Sequence, residues 1–398
     1  MGMNRAWQYR LYPSKAQEKE LNNCLYECKN LWNSLLEHTK KYYEKTGKFP
    51  KRSQLHLLTK ESEIYSQVAQ NVADRITKSL TGVIVRKKAG KKVGFPRFKS
   101  IERMKSFTYP QFGFKLEEKL ELSGIRGIAI KKHRNIQGKI KTLTIKRTPS
   151  ERWYAIFTSE IESNLPPKKE GPPVGIDLGI EHFAYCSDGE TIENPRNLKQ
   201  LEQRLKARHM QLSKKKKRSK NRRKARIKVA VAYENLVNKR KDFLHKISRK
   251  LVEKYSFIAL ENLNIAGMAR GFLAKHVLDC SWAEFLNMLH YKAEGAGCDV
   301  VLVEPAHTTQ ECSSCGLVQK KSLAERWHEC LCGASMHRDL NAAINILNRA
   351  TGGTSGSQAC VEERSSSTVR ESNSLDLRRS LCMQASSVKQ EANGFSRW

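Results

Sequence analysis

The amino-acid sequence predicts a multidomain α/β protein that also contains a small β-barrel. The chain has 398 residues, which corresponds to roughly two to four domains. Between residues 106 and 161, short runs of alternating apolar and polar residues are separated by turn residues, a pattern typical of a barrel or sheet. From residue 174 onward, apolar strand-like runs alternate with long helical patterns, which indicates an α/β domain.

The predicted barrel combines local strands with one distant strand. The local runs are Phe112–Leu116, Gly127–Lys131, Lys139–Lys146 and Trp153–Glu160. Residues 4–12 also alternate like a strand but have no local partner, so we expect them to complete the barrel. Apolar residues at helical spacing predict helices from Lys15 to about Tyr43, over Ser53–Glu61 and over Ile64–Lys88. These helices would form an insertion within the barrel.

The second half of the chain follows a proline-rich stretch, Asn164–Pro173, which we interpret as a linker. Its predicted elements are strands at Val174–Ile180 and Phe183–Ser187, a hairpin at Ser187–Glu190, a helical hairpin at Asn197–Glu253, a strand at Tyr255–Leu260, a helix at Ser281–Ala296, a strand at Asp299–Glu304 and a terminal helix. This order matches the α/β layout of an RNase H-like domain. Because one fold can host unrelated activities, function must be argued from the side chains.

The charge balance favours a polyanionic partner. Lys and Arg number 73 against 40 Asp and Glu, which gives a net charge of +33. Cationic side chains that contact phosphates release counterions, so this excess favours nucleic-acid binding. The densest positive stretch, Lys214–Lys228, is interpreted as a binding face, with a solvated charge run as the alternative. The loop Gly90–Lys99 either contacts phosphates or is merely anchored by its two phenylalanines.

Neither a membrane span nor an export signal is predicted. No apolar run approaches the ~20 residues that a spanning helix needs, and residues 1–7 lack the hydrophobic segment of a signal peptide. We therefore expect a cytoplasmic protein with no membrane partner. In that reducing compartment, the eleven cysteines favour metal ligands or buried thiols over disulfides.

Three carboxylates stand at comparable positions in distant segments. Asp177 lies in an apolar strand, Glu261 ends another, and Asp339 opens an Ala-rich helix. Each has an ordinary alternative, as a turn residue, a strand-end acid or a helix cap. Together they favour a Mg²⁺ site, because Mg²⁺ takes hard oxygen ligands. Two Mg²⁺ roughly 4 Å apart would activate a water and stabilise the leaving 3′ oxygen of a phosphodiester. Arg338 either contacts that phosphate or is merely exposed.

A four-cysteine insert precedes the last of these carboxylates. The four residues are Cys312, Cys315, Cys330 and Cys332. Each pair is followed by glycine, and four thiolates suit a closed tetrahedral Zn²⁺ site, with iron or no metal as the alternatives. The second pair is CxC rather than CxxC. His328 or His337 would replace a thiolate if that short pair cannot reach the metal.

Several motifs give the chain a resemblance to a known family. They are Lys91–Phe98, Gly175–Gly179, Lys239–Lys246, Leu260–Leu263, Cys312–Gly316 and His337–Ala343. Over roughly residues 4–349 the chain resembles TnpB, a transposon-encoded, RNA-guided DNA endonuclease with a RuvC-like nuclease domain. TnpB proteins are similar in turn to compact type V CRISPR effectors. The CxC pair at Cys330–Cys332 departs from the family's pattern.

The resemblance implies a domain plan and a set of site residues. The plan is a wedge-type β-barrel at 1–14 and 104–165, a helical recognition domain at 15–103, a RuvC-like nuclease domain at 166–306 and 337–350, and a zinc-ribbon, target-nucleic-acid-binding insert at 307–336. The Ser-rich tail, residues 351–398, is expected to be disordered. Asp177, Glu261 and Asp339 are implied as the catalytic triad.

The resemblance also implies partners. They are a guide RNA transcribed from the transposon end and a double-stranded target DNA with a short adjacent motif. The protein residues that read this motif are expected in the recognition helices and barrel, and we would look for them at Gln70–Lys78. We expect a monomeric protein in a prokaryotic cytoplasm, associated with the nucleoid when it acts. Three alternatives stay open: a catalytically silent RNA- and DNA-binding transposon regulator, a CRISPR-associated effector with the same chemistry, and a guide-independent nuclease.

Overall fold

The computed structural model describes residues 3–161, 166–322 and 325–352. The chain divides into two compact units. The first comprises Met1–Ser163 and Arg218–Val231, and the second comprises Asn164–Lys217 and Ala232–Trp398. From residue 353 onward, the tail for which we expect disorder lies outside the described residues.

The first unit contains a seven-stranded antiparallel sheet that curls into a nearly closed barrel. Its strands are β1 (Met3–Tyr12), β2 (Ser106–Tyr109), β3 (Phe114–Leu116), β4 (Lys119–Leu122), β5 (Ile125–Lys131), β6 (Lys139–Arg147) and β7 (Trp153–Ile161). The strand order is β2-β6-β7-β1-β5-β4-β3. β1 therefore pairs with β7 and β5, as its missing local partner predicts.

The barrel interior follows from strand alternation. Every second side chain of a strand points to the same face, and Trp7, Tyr9 and Leu11 of β1 are all buried. The indole Nε1 of Trp7 donates a 2.8 Å hydrogen bond to Oγ of Ser159 in β7. This buried donor is thus satisfied while the ring fills the core.

Three helices of the first unit follow β1: α1 (Lys15–Thr46), α2 (Arg52–Leu57) and α3 (Ser66–Lys88). α1 begins directly after the strand because Ser14 and Gln17 form a capping box, each accepting a hydrogen bond from the backbone N–H of the other. It ends at Gly47, which adopts a left-handed conformation with φ 66°. The predicted helices are present, although α2 is shorter than expected.

The second unit is built on a five-stranded mixed sheet. Its strands are β8 (Pro173–Leu178), β9 (His182–Cys186), β10 (Thr191–Glu193), β11 (Phe257–Glu261) and β12 (Asp299–Val303), in the order β10-β9-β8-β11-β12. β11 runs parallel to β8 and to β12, whereas β9 is antiparallel to β8 and to β10. A separate two-stranded hairpin is formed by β13 (Trp327–Glu329) and β14 (Ser335–His337).

Six helices of this unit follow the predicted order with two additions. They are α4 (Asn197–Ser213), α5 (Lys220–Lys254), α6 (Ile265–Met268), α7 (Ala274–Cys280), α8 (Trp282–Glu294) and α9 (Arg338–Thr351). The first residues of α5 belong to the first unit. The short helices α6 and α7, like strands β2 and β4, were not predicted. α6 and α7 span only four and seven residues, too few to display a helical hydrophobic period.

The described part of the predicted linker, residues 166–172, packs on the second unit. The ammonium group of Lys169 donates hydrogen bonds to the carbonyl oxygens of Val252 (2.7 Å) and Tyr255 (3.5 Å) at the end of α5. Its backbone N–H donates to the carbonyl oxygen of Gly297 at 3.0 Å. A cation at a helix C-terminus satisfies carbonyls that have no partner within the helix.

α9 lies directly on β8, and a glycine makes this possible. A Cβ atom added to Gly175 would overlap the carbonyl oxygen of Ala343 and come within 2.7 Å of the backbone nitrogen of Leu347. Both neighbouring atoms are backbone, so a side chain at position 175 would push the helix away from the strand. Gly175 therefore sets the distance between α9 and the sheet.

Within the described ranges, no helix combines the length and the apolar character that crossing a bilayer demands.

Gly175→Ala is expected to destabilise the second unit by about 1–3 kcal/mol, because the added methyl group overpacks the contact between α9 and β8. Chemical and thermal unfolding followed by circular dichroism would measure the loss. Gly271→Ala is the matched control in the same unit, since a Cβ there meets its nearest neighbour at an ordinary 3.6 Å. Equal stability of the two variants would contradict the role given to Gly175.

Candidate metal centres

Two of the predicted carboxylates come from neighbouring parallel strands. The last paired positions of β8 and β11 are Ile176 and Leu260. Asp177 and Glu261 are the next residues, so they lie side by side near the carboxyl ends of two adjacent strands, which are about 4.8 Å apart. Glu261 is buried, with 8% of its surface exposed, and Asp177 is half-buried.

The third carboxylate stands in the first turn of α9. His337 caps this helix, with its Nδ1 accepting a 3.3 Å hydrogen bond from the backbone N–H of Asp339. An acidic side chain in a first turn is stabilised by the helix dipole. α9 covers the face of β8 that carries Gly175, and Asp177 shares that face because alternate residues of a strand point the same way. The Asp177 side chain therefore points toward the side of the sheet that α9, the helix of Asp339, covers.

The pKa of Asp177 responds to its burial and to both of the other acids. Burial raises the pKa of Asp177 well above its usual value, and the negative charges of Glu261 and Asp339 raise it further, whereas the Arg338 guanidinium lowers it. Across the described residues, however, the three carboxylates do not form a set of ligand atoms close enough to share one ion. They are neighbours around a common region rather than the corners of a single-ion site.

Glu261 has a hydrogen-bond donor that the sequence did not reveal. Thr308, buried in the segment after β12, donates its hydroxyl hydrogen to Oε1 of Glu261. Burial raises the pKa of Glu261, while this hydrogen bond and the charge of Arg349 oppose the increase. The Glu261 carboxylate is therefore both buried and fixed by a hydrogen bond from Thr308.

One face of α9 holds the segment that carries Thr308. Asn341 donates to the carbonyl oxygen of Glu311 (2.7 Å), and Asn345 donates to those of Glu311 (2.7 Å) and Thr308 (2.9 Å). Arg349 donates to the carbonyl oxygen of Ala306 (2.6 Å). These polar residues recur every four positions along α9 and therefore share one face, a signal that could have identified them from the sequence.

Arg338 and an aromatic pair border the carboxylates. The Arg338 side chain is only 11% exposed, which contradicts the alternative of a merely exposed residue. Its Nε lies 3.4 Å from Oδ1 of Asp339, and its guanidinium donates to the carbonyl oxygen of Glu325 at 2.9 Å. The rings of Tyr185 and His337 stack with centroids 4.8 Å apart. Burial, followed by the charge of Asp339, raises the pKa of Tyr185.

The four cysteines come together in the second candidate centre. Their sulfur atoms all lie within 4.8 Å of one another. The Sγ atoms of Cys312 and Cys332 are 3.7 Å apart, and those of Cys315 and Cys330 are 3.5 Å apart. Tetrahedral zinc with Zn–S bonds of about 2.3 Å separates its sulfur ligands by about 3.8 Å. The geometry therefore fits zinc, and the short CxC pair reaches the cluster.

Each cysteine pair lies in a tight turn closed by glycine. Cys312 donates its N–H to the carbonyl oxygen of Leu317 at 2.9 Å, and Cys330 donates to Ala334 at 2.9 Å. The glycines of the two turns, at positions 316 and 333, have φ of 77° and 90°, a region that side chains disfavour. The predicted glycine-closed knuckles are thus present.

The two histidines considered as substitute ligands have different surroundings. His337 stacks on Tyr185 and caps α9. His328 is buried beside the cysteine cluster. Burial raises the pKa of the Cys312 thiol, but the neighbouring His328 and backbone N–H groups outweigh it and lower the pKa to about 6. A thiolate, the form that binds metal, is therefore favoured at Cys312.

The predicted basic face at residues 214–228 contains both exposed lysines and ion-paired arginines. Residues 214–217, between α4 and α5, are exposed. Arg223 and Arg226 form ion pairs with Glu151 and Glu102, both at 2.7 Å.

The loop at residues 90–99 is anchored to α1. Trp32 donates to the carbonyl oxygen of Arg97 (3.3 Å), and Asn33 donates to that of Lys99 (3.0 Å). Phe95 packs against Phe49, with ring centroids 5.6 Å apart. These contacts favour the anchoring interpretation, although Lys91 and Lys92 remain exposed.

Three family models match successive parts of the chain. Residues 1–48 match a helix-turn-helix domain, 156–271 match the OrfB_IS605 model, described as a probable transposase, and 282–346 match a Cas12f1-like TNB domain. In the structure, the first of these ranges contains β1 and the uninterrupted helix α1. The second range includes Asp177 and Glu261, and the third includes Asp339 and the four cysteines.

Curated relatives and a solved structure extend these matches. A putative RNA-guided DNA endonuclease of Streptomyces pristinaespiralis is 29% identical, covering 87% of this chain and 89% of the relative. The putative RNA-guided DNA endonuclease InsQ of Escherichia coli strain K12 is 26% identical, covering 86% and 91%. The protein of a Cas12f1–sgRNA–target DNA cryo-EM structure is 14% identical, covers 88% of this chain and 99% of its own, and has a TM-score of 0.54. At that identity the likeness is one of fold. Together, these findings confirm the resemblance to the TnpB family that the sequence motifs predict.

Proposed function

We propose that this chain is an RNA-guided endonuclease that cuts target DNA beside a short adjacent motif. The observation that carries the proposal is that Asp177 and Glu261 stand near the carboxyl ends of neighbouring parallel strands, while the charge of Asp339, from a third distant segment, acts on Asp177, in a chain with a net charge of +33. The names of the curated relatives support guided DNA cleavage. The order and direction of strands β8–β12 support an RNase H-like nuclease domain of the RuvC type.

The triad supplies oxygen ligands for divalent cations. Carboxylates match the hard-ligand preference of Mg²⁺, which keeps several waters as its remaining ligands. Two Mg²⁺ bound there would activate a water for in-line attack and stabilise the leaving 3′ oxygen of the cut strand. Asp177, whose pKa is raised by burial and by the charges of both other acids, would be one of the ligands. Arg338 would orient Asp339 through its Nε–Oδ1 contact.

The remaining parts of the chain would hold the nucleic acids. Base pairing with the guide RNA would supply sequence specificity, while the protein reads shape, charge and the adjacent motif. In the proposed plan, residues 1–14 and 104–165 form the wedge-type barrel, residues 15–103 form the recognition domain, residues 166–306 and 337–350 form the nuclease domain, and residues 307–336 form the zinc ribbon. The monomeric state stays a prediction.

The ribbon would be a structural zinc site. Four thiolates with no position left for water form a closed site that contributes folding energy rather than chemistry. Its hairpin leads straight into α9, because His337 both ends β14 and caps the helix. Zinc would thereby fix the start of the helix that carries Asp339.

Asp177→Asn is expected to reduce guided DNA cleavage on the order of 10³-fold or more while guide RNA binding is retained, because a metal ligand is lost and the fold is kept. Purified complex, matched DNA and Mg²⁺ provide the assay. Glu253→Gln, at an exposed position on α5 outside the family motifs, is the control and should cut normally.

Three results would separate the alternatives. Guided binding without cleavage by the wild-type chain would favour a silent regulator. Cleavage without RNA would favour a guide-independent nuclease. Normal cleavage by Asp177→Asn would remove this residue from the catalytic site.

Asp177→Asn is also expected to raise the thermal stability of the metal-free protein at neutral pH. The raised pKa of Asp177 means that the folded state binds more protons than the unfolded state above the ordinary carboxyl pKa of about 3.9. Wild-type stability therefore falls as the pH rises through this window, whereas the neutral amide has no such penalty. Melting curves from pH 4 to pH 8 test this: the advantage of the variant should appear only toward the higher pH. A constant difference would contradict it.

Cys312→Ser is expected to lose zinc and to destabilise the ribbon, since one of four thiolates becomes a poor ligand. Metal analysis after dialysis should find about one zinc per wild-type chain and much less in the variant. Cys298→Ser removes a buried thiol that lies outside the cluster and should keep the metal. Unchanged zinc in Cys312→Ser would count against the site.

A further inference from the structure

The hydroxyl of Thr308 is a buried polar group that the proposed cleavage chemistry leaves without a role. Thr308 is 2% exposed and lies 47 positions after Glu261, to whose Oε1 it donates a hydrogen bond. A buried carboxylate that has lost water is costly unless donors replace the lost hydration. The hydroxyl is thus aimed at one oxygen of one carboxylate of the triad.

α9 fixes the backbone of Thr308. Asn345 donates to the Thr308 carbonyl oxygen at 2.9 Å, and Arg349 donates to the carbonyl oxygens of Ala306 (2.6 Å) and Glu304 (3.1 Å). Asn345 is itself 4% exposed. Because the main chain on the N-terminal side of Thr308 is held at three carbonyls, the hydroxyl has a defined position.

We propose that Thr308 is a positioning residue for Glu261. By holding Oε1, the hydroxyl limits rotation of the carboxylate and leaves Oε2 available to a divalent cation. Residues that orient a metal ligand typically contribute 10–100-fold to metal affinity. The inference rests on the proposed function, since it presupposes that Glu261 binds the ion.

A purely local role for Thr308 is the competing explanation. Its hydroxyl also lies 3.4 Å from the carbonyl oxygen of Pro305, a contact that would stabilise the turn. One hydroxyl hydrogen cannot serve both acceptors fully. A turn-stabilising role predicts lower thermal stability with unchanged metal affinity, whereas a positioning role predicts weaker metal binding.

Direct Mn²⁺ binding to the full-length chain, washed free of nucleic acid in high salt, separates these roles. Thr308→Val keeps the side-chain shape and removes the donor, and should weaken Mn²⁺ binding, followed by electron paramagnetic resonance, by roughly tenfold or more. Thr308→Ser keeps the hydroxyl and should bind nearly as the wild type does. Thr39→Val is the matched control: this buried threonine donates to the carbonyl oxygen of Leu35 in the other unit. It should leave Mn²⁺ binding unchanged.

The Mn²⁺ affinities of the Thr308 variants either support or overturn the positioning role. Wild-type affinity in Thr308→Val would overturn the inference, as would equal weakening in Thr308→Ser. If Thr308→Val does not fold, Thr308→Ala takes its place, and wild-type Mn²⁺ affinity in that variant would overturn the inference. Asp177→Asn tests the proposed function separately: if it binds as much Mn²⁺ as the wild type, the carboxylates are not a metal site.

Discussion

The backbone contact between α9 and β8 is the constraint on which the rest of the second unit depends. It exists because position 175 carries no side chain, so the main chain of α9 near Ala343 can lie against the strand. Two residues further along β8, on the same face, stands Asp177. Four residues before Ala343 stands Asp339. A shift of the helix by the width of one methyl group would therefore change the relation between these two carboxylates.

The same contact gathers groups that repel one another. Asp177 stands in β8 among buried side chains, and burial, followed by the charges of Glu261 and Asp339, raises its pKa. Packing offsets this cost: Ile176, Ile258 and Leu260 are fully buried, and Ile346 of α9 packs against Ala259 and Val303 of the sheet. A site of this kind trades stability for the capacity to bind cations, as functional sites commonly do. The three acids stand at the ends of strands and a helix rather than on loops, and such rigid elements hold functional side chains more precisely.

The sequence predicts a site residue only where the neighbouring residues in the chain mark it, and not where its role depends on a distant contact. Asp177 and Glu261 are candidates in the sequence because the first lies in an apolar strand and the second ends one, and Asp339 because it opens an Ala-rich helix. Thr308 was missed because its partner lies 47 residues away and nothing in its neighbours marks it. The role of Gly175 was missed for a similar reason, since only the docked helix makes a Cβ impossible there.

The cysteine cluster shows the opposite case. Spacing alone predicted a metal site but left the reach of the CxC pair open, because reach depends on turn geometry. The positive φ of the glycine in that turn, at position 333, lets both cysteines of the pair face the same point. The Cys330–Cys315 separation of 3.5 Å follows from that turn.

The position of the cysteine insert in the chain has a physical consequence. Its first knuckle is tied to α9, because the backbone N–H of Ser313 donates to Oδ1 of Asn341 at 2.9 Å. Its second strand ends at His337, the cap of the same helix. α9 is thus held by the knuckle, by the hairpin and by β8, while its own side chains hold the segment that presents Thr308 to Glu261. The geometry of the cysteine insert and the positions of the carboxylates are therefore coupled. A displacement of the knuckles would move Asp339 through the start of α9. It would also move Glu261 through the segment that carries Thr308.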